Sequence, residues 1–326
     1  MNSICFMMSL VLANGPSLIL VFHGTLNNLQ FDNLRLNTSS NTRVYGDLNF
    51  KNLISKTTND FEMQGVFSNL SSNYRDLKSL LPNVLGASIP SIFGKLGNFN
   101  INGTTKITTT KIDADLDILT QIGIARSNLS ISNVNNIETA TYKGKIIFDD
   151  FNIGKFLEDP NLGKISANLE VDGKGFKKEN LSSRIKGDVY SINYNKYDYK
   201  NINVNGTYQQ SVFNGALLVD DKNLKLDFNG LADFSKAINA FDFTANIEYL
   251  NLKALNFYNR DETSEFKGIV EMNMRGTSLD DAVGNISFNT TNYKNENDDY
   301  YFDDFQITSS FKDKERFITI NSPRYH

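Results

Sequence analysis

Apolar and polar residues alternate with a period of two along most of this chain. Ile112, Ala114, Leu116 and Ile118 fall on one side of an extended strand, while Lys111, Asp113, Asp115 and Asp117 fall on the other. The same alternation runs through Leu169 and Val171, through Leu226 and Phe228, through Phe241, Phe243 and Ile247, and through Val270, Met272 and Met274. Each segment predicts a strand with one dry face and one wet face. Asn102-Gly103, Asp172-Gly173, Asn205-Gly206, Asn214-Gly215 and Asn229-Gly230 are expected to supply the positive φ angles of tight hairpins between such strands. Short connections join antiparallel neighbours, so the expected architecture is all-β and meandering. At roughly 13 residues per strand and turn, the chain has room for on the order of 23 strands.

One segment has a different period. Leu77, Leu81, Leu85, Ile89 and Phe93 recur at helical spacing. Asn73 is a suitable N-cap before Tyr74, Pro82 interrupts the pattern, and Ser88 with Pro90 can start a second short helix that Gly94 or Gly97 ends. Residues 73–97 therefore read as a kinked helical insertion between strands over 1–72 and further strands over 98–326. Two roles are open to it: cover for an exposed edge or open end of a sheet, or a gate whose apolar face is formed by those five residues.

Strand motifs repeat over long distances. Phe302-Asp303-Asp304-Phe305-Gln306-Ile307 returns almost unchanged as Phe31-Asp32-Asn33-Leu34-Arg35-Leu36, and more loosely as Tyr199-Lys200-Asn201-Ile202. Repetition of this kind implies one supersecondary unit used many times, with Phe305 and Ile307 on the dry face. Its paired aspartates point to opposite sides of a strand, so they are read as turn or solvent-facing groups, as are Asp149-Asp150 and Asp220-Asp221.

Composition narrows the function. With 40% apolar residues, 24 Phe and 14 Tyr in 326 residues, the chain can bury a core and is not disordered. A net charge of −4 with interspersed Lys and Asp leaves no basic stripe for a nucleic-acid backbone. Cys5 is the only cysteine, and His23 and His326 stand at opposite ends, so no cysteine or histidine cluster is expected to hold a metal. The run Asp113-Ala114-Asp115-Leu116-Asp117 lacks the glycine a calcium loop needs, since Ile118 stands there. Tyr194, Tyr197 and Tyr199 form a stripe suited to a cross-strand ladder or to stacking on sugars. No catalytic residues and no cofactor are expected. The apolar run from Ile4 to Leu12 has no preceding Lys or Arg and is about half the roughly 20 residues of a membrane span, so it reads as part of a longer gene product, not a leader.

A longer repeat surrounds the glycines. Leu169-Glu170-Val171-Asp172-Gly173 leads through Leu181 to Gly187-Asp188-Val189, and Met272-Asn273-Met274-Arg275-Gly276-Thr277-Ser278-Leu279-Asp280-Asp281 leads to Gly284-Asn285-Ile286. This strand, Gly, Ser-Leu-Asp-Asp, Gly, strand pattern resembles the repeats of the AsmA-like superfamily, in particular the TamB family of translocation and assembly module proteins. The resemblance runs from about Gly24 onward, and Leu80-Leu81-Pro82-Asn83-Val84-Leu85-Gly86 is similar to an insertion in one TamB-type subfamily. The family's membrane anchor has no counterpart here, so the resemblance implies an internal segment. It also implies a U-shaped apolar groove, the β-taco, in a non-enzymatic protein of the Gram-negative periplasm. Such a protein is anchored in the inner membrane, carries phospholipid between membranes, and works with an Omp85-type outer-membrane barrel.

The residues themselves leave two arrangements open. Dry faces can close on one another as sandwiches, or a long sheet can curl along its dry face into a trough. A trough would be lined by Ile112, Leu116, Ile118, Leu169, Leu226 and Phe228, with Phe241, Phe243, Ile247, Met272, Phe305 and Ile307 further along. It would suit phospholipid acyl chains. A closed interior would suit an extracellular structural or adhesive repeat module with its function on the outside.

Overall fold

The computed structural model describes residues 4–11, 17–25, 27–40, 42–53, 61–80, 91–136, 138–176, 179–235, 239–277, 281–312 and 315–322. These form two compact units, residues 1–160 with 164–177, and residues 161–163 with 178–326. Both are antiparallel meanders, as the alternation predicts. No helix among the described residues is long and apolar enough to cross a membrane.

The first unit holds β1 (Ile4–Val11), β2 (Ser17–Thr25), β3 (Asn28–Asn37), β4 (Arg43–Lys51) and β5 (Glu62–Asn73), then β6 (Asn98–Thr108), β7 (Lys111–Thr120), β8 (Gly123–Ser132), β9 (Thr141–Asn152) and most of β10 (Leu162–Lys174). Each strand pairs with the next in sequence. The N-terminal apolar run is thus a strand, paired along its length from Ile4 opposite Gly24 to Val11 opposite Ser17. Between β5 and β6 lie α1 (Tyr74–Leu80) and a 3-10 helix (Ser91–Leu96). Asn73 caps α1, its side-chain oxygen accepting from the Asp76 amide at 2.9 Å, and Gly97 ends the 3-10 helix at φ +69°. A further short helix, α2 (Ile153–Leu157), connects β9 to β10.

The second unit holds β11 (Ser182–Tyr194), β12 (Tyr197–Gln209), β13 (Val212–Asp221), β14 (Leu224–Asp233) and β15 (Asn239–Asn251), followed by β16 (Ser264–Gly276), β17 (Val283–Asn295), β18 (Asp299–Phe302), β19 (Phe305–Lys312) and β20 (Glu315–Asn321). Two of its turns have both central residues at positive φ, Asn195-Lys196 at +49° and +65° and Gln210-Ser211 at +49° and +72°. That is the type I′ geometry whose twist matches the strands it joins.

The Asn-Gly and Asp-Gly pairs are not at the turns. All five lie inside strands β6, β10, β12, β13 and β14. At Gly103, Gly215 and Gly230 glycine is needed because a neighbouring backbone comes too close for a side chain. A Cβ on Gly103, which sits at φ +124°, would lie 2.2 Å from the carbonyl oxygen of Asp115 on the next strand. Gly103→Ala should therefore cost about 2 kcal/mol, from left-handed strain and the displaced strand together. Chemical denaturation reads this directly, and an unchanged midpoint would show that the strand pair relaxes freely.

The repeated Phe-Asp-Asp-Phe motif has a structural meaning. Its third residue takes a left-handed conformation in every copy, with Asn33 at φ +53°, Asn201 at +53° and Asp304 at +51°. Phe148-Asp149-Asp150-Phe151 behaves likewise, with Asp150 at +49°. Around Asn33 and Asp150 the strand pairing skips a residue, as in a β-bulge. The amide freed at each of these two bulges is taken by a side chain on an adjacent strand. Asn33 donates to Asp47 at 2.8 Å and Asp150 to the Ser166 hydroxyl at 3.0 Å. Asp303 plays the same part for the left-handed Thr290, accepting from its amide at 3.2 Å.

Candidate functional site

In the first unit, four rows of cross-strand partners cross β3 to β7 on the dry face. Two outer rows carry large side chains: Leu36, Val44, Leu70, Ile101 and Ile118 in one, Leu29, Phe50, Met63, Ile107 and Ile112 in the other. The rows between them are interrupted by small residues, Gly65, Thr105 and Ala114 in one and Gly46 and Gly103 in the other. Large side chains on both flanks and small ones along the middle leave a depression. The sheet folds around it. Leu77 of α1 packs against the buried cluster of Val44 and Leu70 and also against that of Phe50, Met63 and Ile107, so α1 lies across the mouth and touches both flanks.

The result is a cavity of about 450 Å³ reaching from Leu18 on β2 to the residues of β7. Among the described residues along its wall, Tyr74 and Thr105 are the only ones with a polar side-chain group. Of the residues expected to line a groove, Ile112, Leu116 and Ile118 border it, and of the expected gate, Leu77 and Phe93 do. Leu81, Leu85 and Ile89 lie outside the described residues. Leu169 is buried on β10 opposite Ile146, on the same face but away from the cavity. The cover is tied down at a distance: Phe93 meets Phe156 of α2 at 6.4 Å between ring centres, and the Lys95 ammonium lies 3.0 Å from the Glu158 carboxylate.

The other predicted lining residues belong to the second unit. Phe228 is buried at the centre of a cluster that includes Leu226, Phe241, Phe243 and Ile247. Its ring lies 5.1 Å from that of Phe243 and 6.1 Å from that of Phe213. Met272 sits half-buried between its partners Phe243 and Ile286, Ile307 continues that row opposite Ile286, and Phe305 lies 6.0 Å from Phe288. Here neighbouring rings fill much of the space between the rows.

Polar candidates resolve into structural roles. The carboxylates of β7 face cross-strand or same-strand partners: Lys111 lies 2.8 Å from Asp113, Arg126 lies 3.4 Å from Asp117, and Asn128 donates to Asp115. Tyr194 and Tyr197 are cross-strand partners, and on β12 the Tyr197 and Tyr199 rings meet edge to face at 4.8 Å. Asp221 corrects the expectation of solvent-facing aspartates. It is only 3% exposed, and its carboxylate accepts from the Tyr197 hydroxyl, from the Lys200 amide at 3.1 Å and from the Asn223 amide at 2.9 Å. Three donors compensate its desolvation. Burial, reinforced by the neighbouring carboxylate, pushes the Tyr197 hydroxyl up to about 12.

Sequence reasoning missed the walls formed by β3 to β6. The bulge at Asn33 puts Phe31 and Leu34 on the same face although they are three apart, and the break between Phe67 and Leu70 does the same on β5. A strict period of two skips such strands. No family model matches the chain, and neither does any curated protein or solved structure.

Proposed function

We propose that this chain is a lipid-carrying β-groove segment of a TamB-type envelope protein, non-enzymatic and acting in the periplasm. In this reading acyl chains lie along the dry face with headgroups in water, and the longer protein passes phospholipid between inner and outer membranes or serves outer-membrane protein assembly with an Omp85-type barrel. The observation that carries it is the cavity between β2 and β7, whose described wall residues are apolar apart from Thr105 and Tyr74. Hydrocarbon is favoured in such a place by about 0.8 kcal/mol for each methylene taken from water. The sequence resemblance supplies the family and the compartment.

A second reading is favoured by the packed aromatic row of the second unit: a structural or adhesive repeat module whose interior is filled by its own side chains. Native mass spectrometry of the purified chain separates the two. Co-purifying phospholipid is expected on the wild type and its loss is expected with Leu116→Asp, which places a carboxylate in the cavity wall while circular dichroism stays that of a β protein. A delipidated chain that takes up no lipid from phospholipid vesicles would leave only the structural module.

A further inference from the structure

The cavity of the first unit has a cation at its edge. Lys78 lies on α1 next to Leu77, and its ammonium sits 5.3 Å from the centre of the ring of Tyr74, a residue of the cavity wall. Tyr74 and Lys78 are four residues apart, one helical turn, so the ring and the charge share a side of α1. Among the described residues no carboxylate forms an ion pair with Lys78, whereas Lys95 has Glu158 and Asp76 receives the Asn73 side-chain amide. Arg75 on the same short helix is almost fully exposed but lies 3.8 Å from the Asp76 carboxylate, which leaves Lys78 as the cation facing the Tyr74 ring.

From this arrangement we infer an anionic headgroup site at Lys78, completing the groove as a site for a single-chain anionic amphiphile such as a fatty acid or lysophosphatidate. The inference rests on the acyl-chain reading of the groove. The tail occupies the cavity beneath α1, and the carboxylate or phosphate emerges beside Tyr74, where the ammonium meets it with a charge-assisted hydrogen bond. Volume points to one chain. At roughly 30 Å³ for each group of water size, about 450 Å³ accommodates on the order of 15 such groups, the size of a single tail.

The test is calorimetric titration of the delipidated full chain with palmitate, palmitoyl lysophosphatidate and methyl palmitate. Wild type should bind both anions about tenfold more tightly than the uncharged ester, since a charge-assisted hydrogen bond is lost with the ester. Lys78→Gln should erase that preference while leaving the ester's affinity unchanged, and Lys78→Arg should restore it. A preference for only one anion would identify the headgroup as carboxylate or phosphate and supports the site. Equal binding of acid and ester by the wild type, or a preference that survives Lys78→Gln, overturns the headgroup site and leaves the groove reading intact. Failure of all three ligands to bind overturns both.

Discussion

Phe228→Ala should destabilise the protein by about 4 kcal/mol and lower the melting temperature by on the order of 10 °C. Phe228 is 8% exposed, and it packs between Phe213 and Phe243 with Ala245 and Val270 in the same cluster. Its cross-strand neighbours, Leu217 on one side and Ala245 on the other, are held by the ladder and cannot move in to fill the space. The matched control is Leu116→Ala in the first unit. Leu116 faces a cavity that already exists, so shortening it removes some buried surface without opening a new hole, at about 1 kcal/mol. A large loss at Phe228 with a small one at Leu116 separates a filled interior from an open groove. Similar losses at both positions would mean that the cavity wall is packed as tightly as the aromatic row.

How much could be read from the chain depended on whether a strand was regular. β7 has no bulge, and its wall residues Ile112, Leu116 and Ile118 follow from alternation alone. β3 and β5 contain bulges, so their apolar residues change phase midway and the walls they form stay hidden. The helical period over Leu77 to Phe93 announced a helix but not what it covers, because that depends on two clusters brought to one place by folding of the sheet. Glycine misled in an instructive way. Asn-Gly is a hairpin signal when φ must be positive in a turn, but here positive φ is used within strands where a neighbouring carbonyl approaches, and the turns went to Asn195-Lys196 and Gln210-Ser211. The repeated Phe-Asp-Asp-Phe motif was visible as repetition, while its meaning, a left-handed third residue, lies in the backbone. Lys78 had a legible signal, its spacing from Tyr74, which has no significance until Tyr74 is seen to border a cavity.

Asp221 was invisible for a different reason: its neighbours in sequence, Asp220, Lys222 and Asn223, describe a wet turn, and only the Tyr197 side chain arriving from β12 makes the site dry. Asp221→Ala should cost about 3 kcal/mol or more at neutral pH, because the Tyr197 hydroxyl and the amides of Lys200 and Asn223 lose their acceptor together. The same network sets the alkaline limit. Tyr197 is held near 12, first by burial and then by Asp221, against an ordinary value of 10.0, and Tyr199 reaches about 12 chiefly through burial. Between those pH values the unfolded chain releases phenolic protons that the folded chain keeps. Their stabilising contribution is therefore complete below pH 10 and is lost as pH rises through about 12. Absorbance at the tyrosinate band, followed alongside circular dichroism, should show late-titrating tyrosines in the wild type and an earlier ionisation of Tyr197 in Asp221→Ala. If that variant keeps wild-type stability to within about 0.5 kcal/mol, the carboxylate is not an anchor, and the three donors find water as readily as they find Asp221.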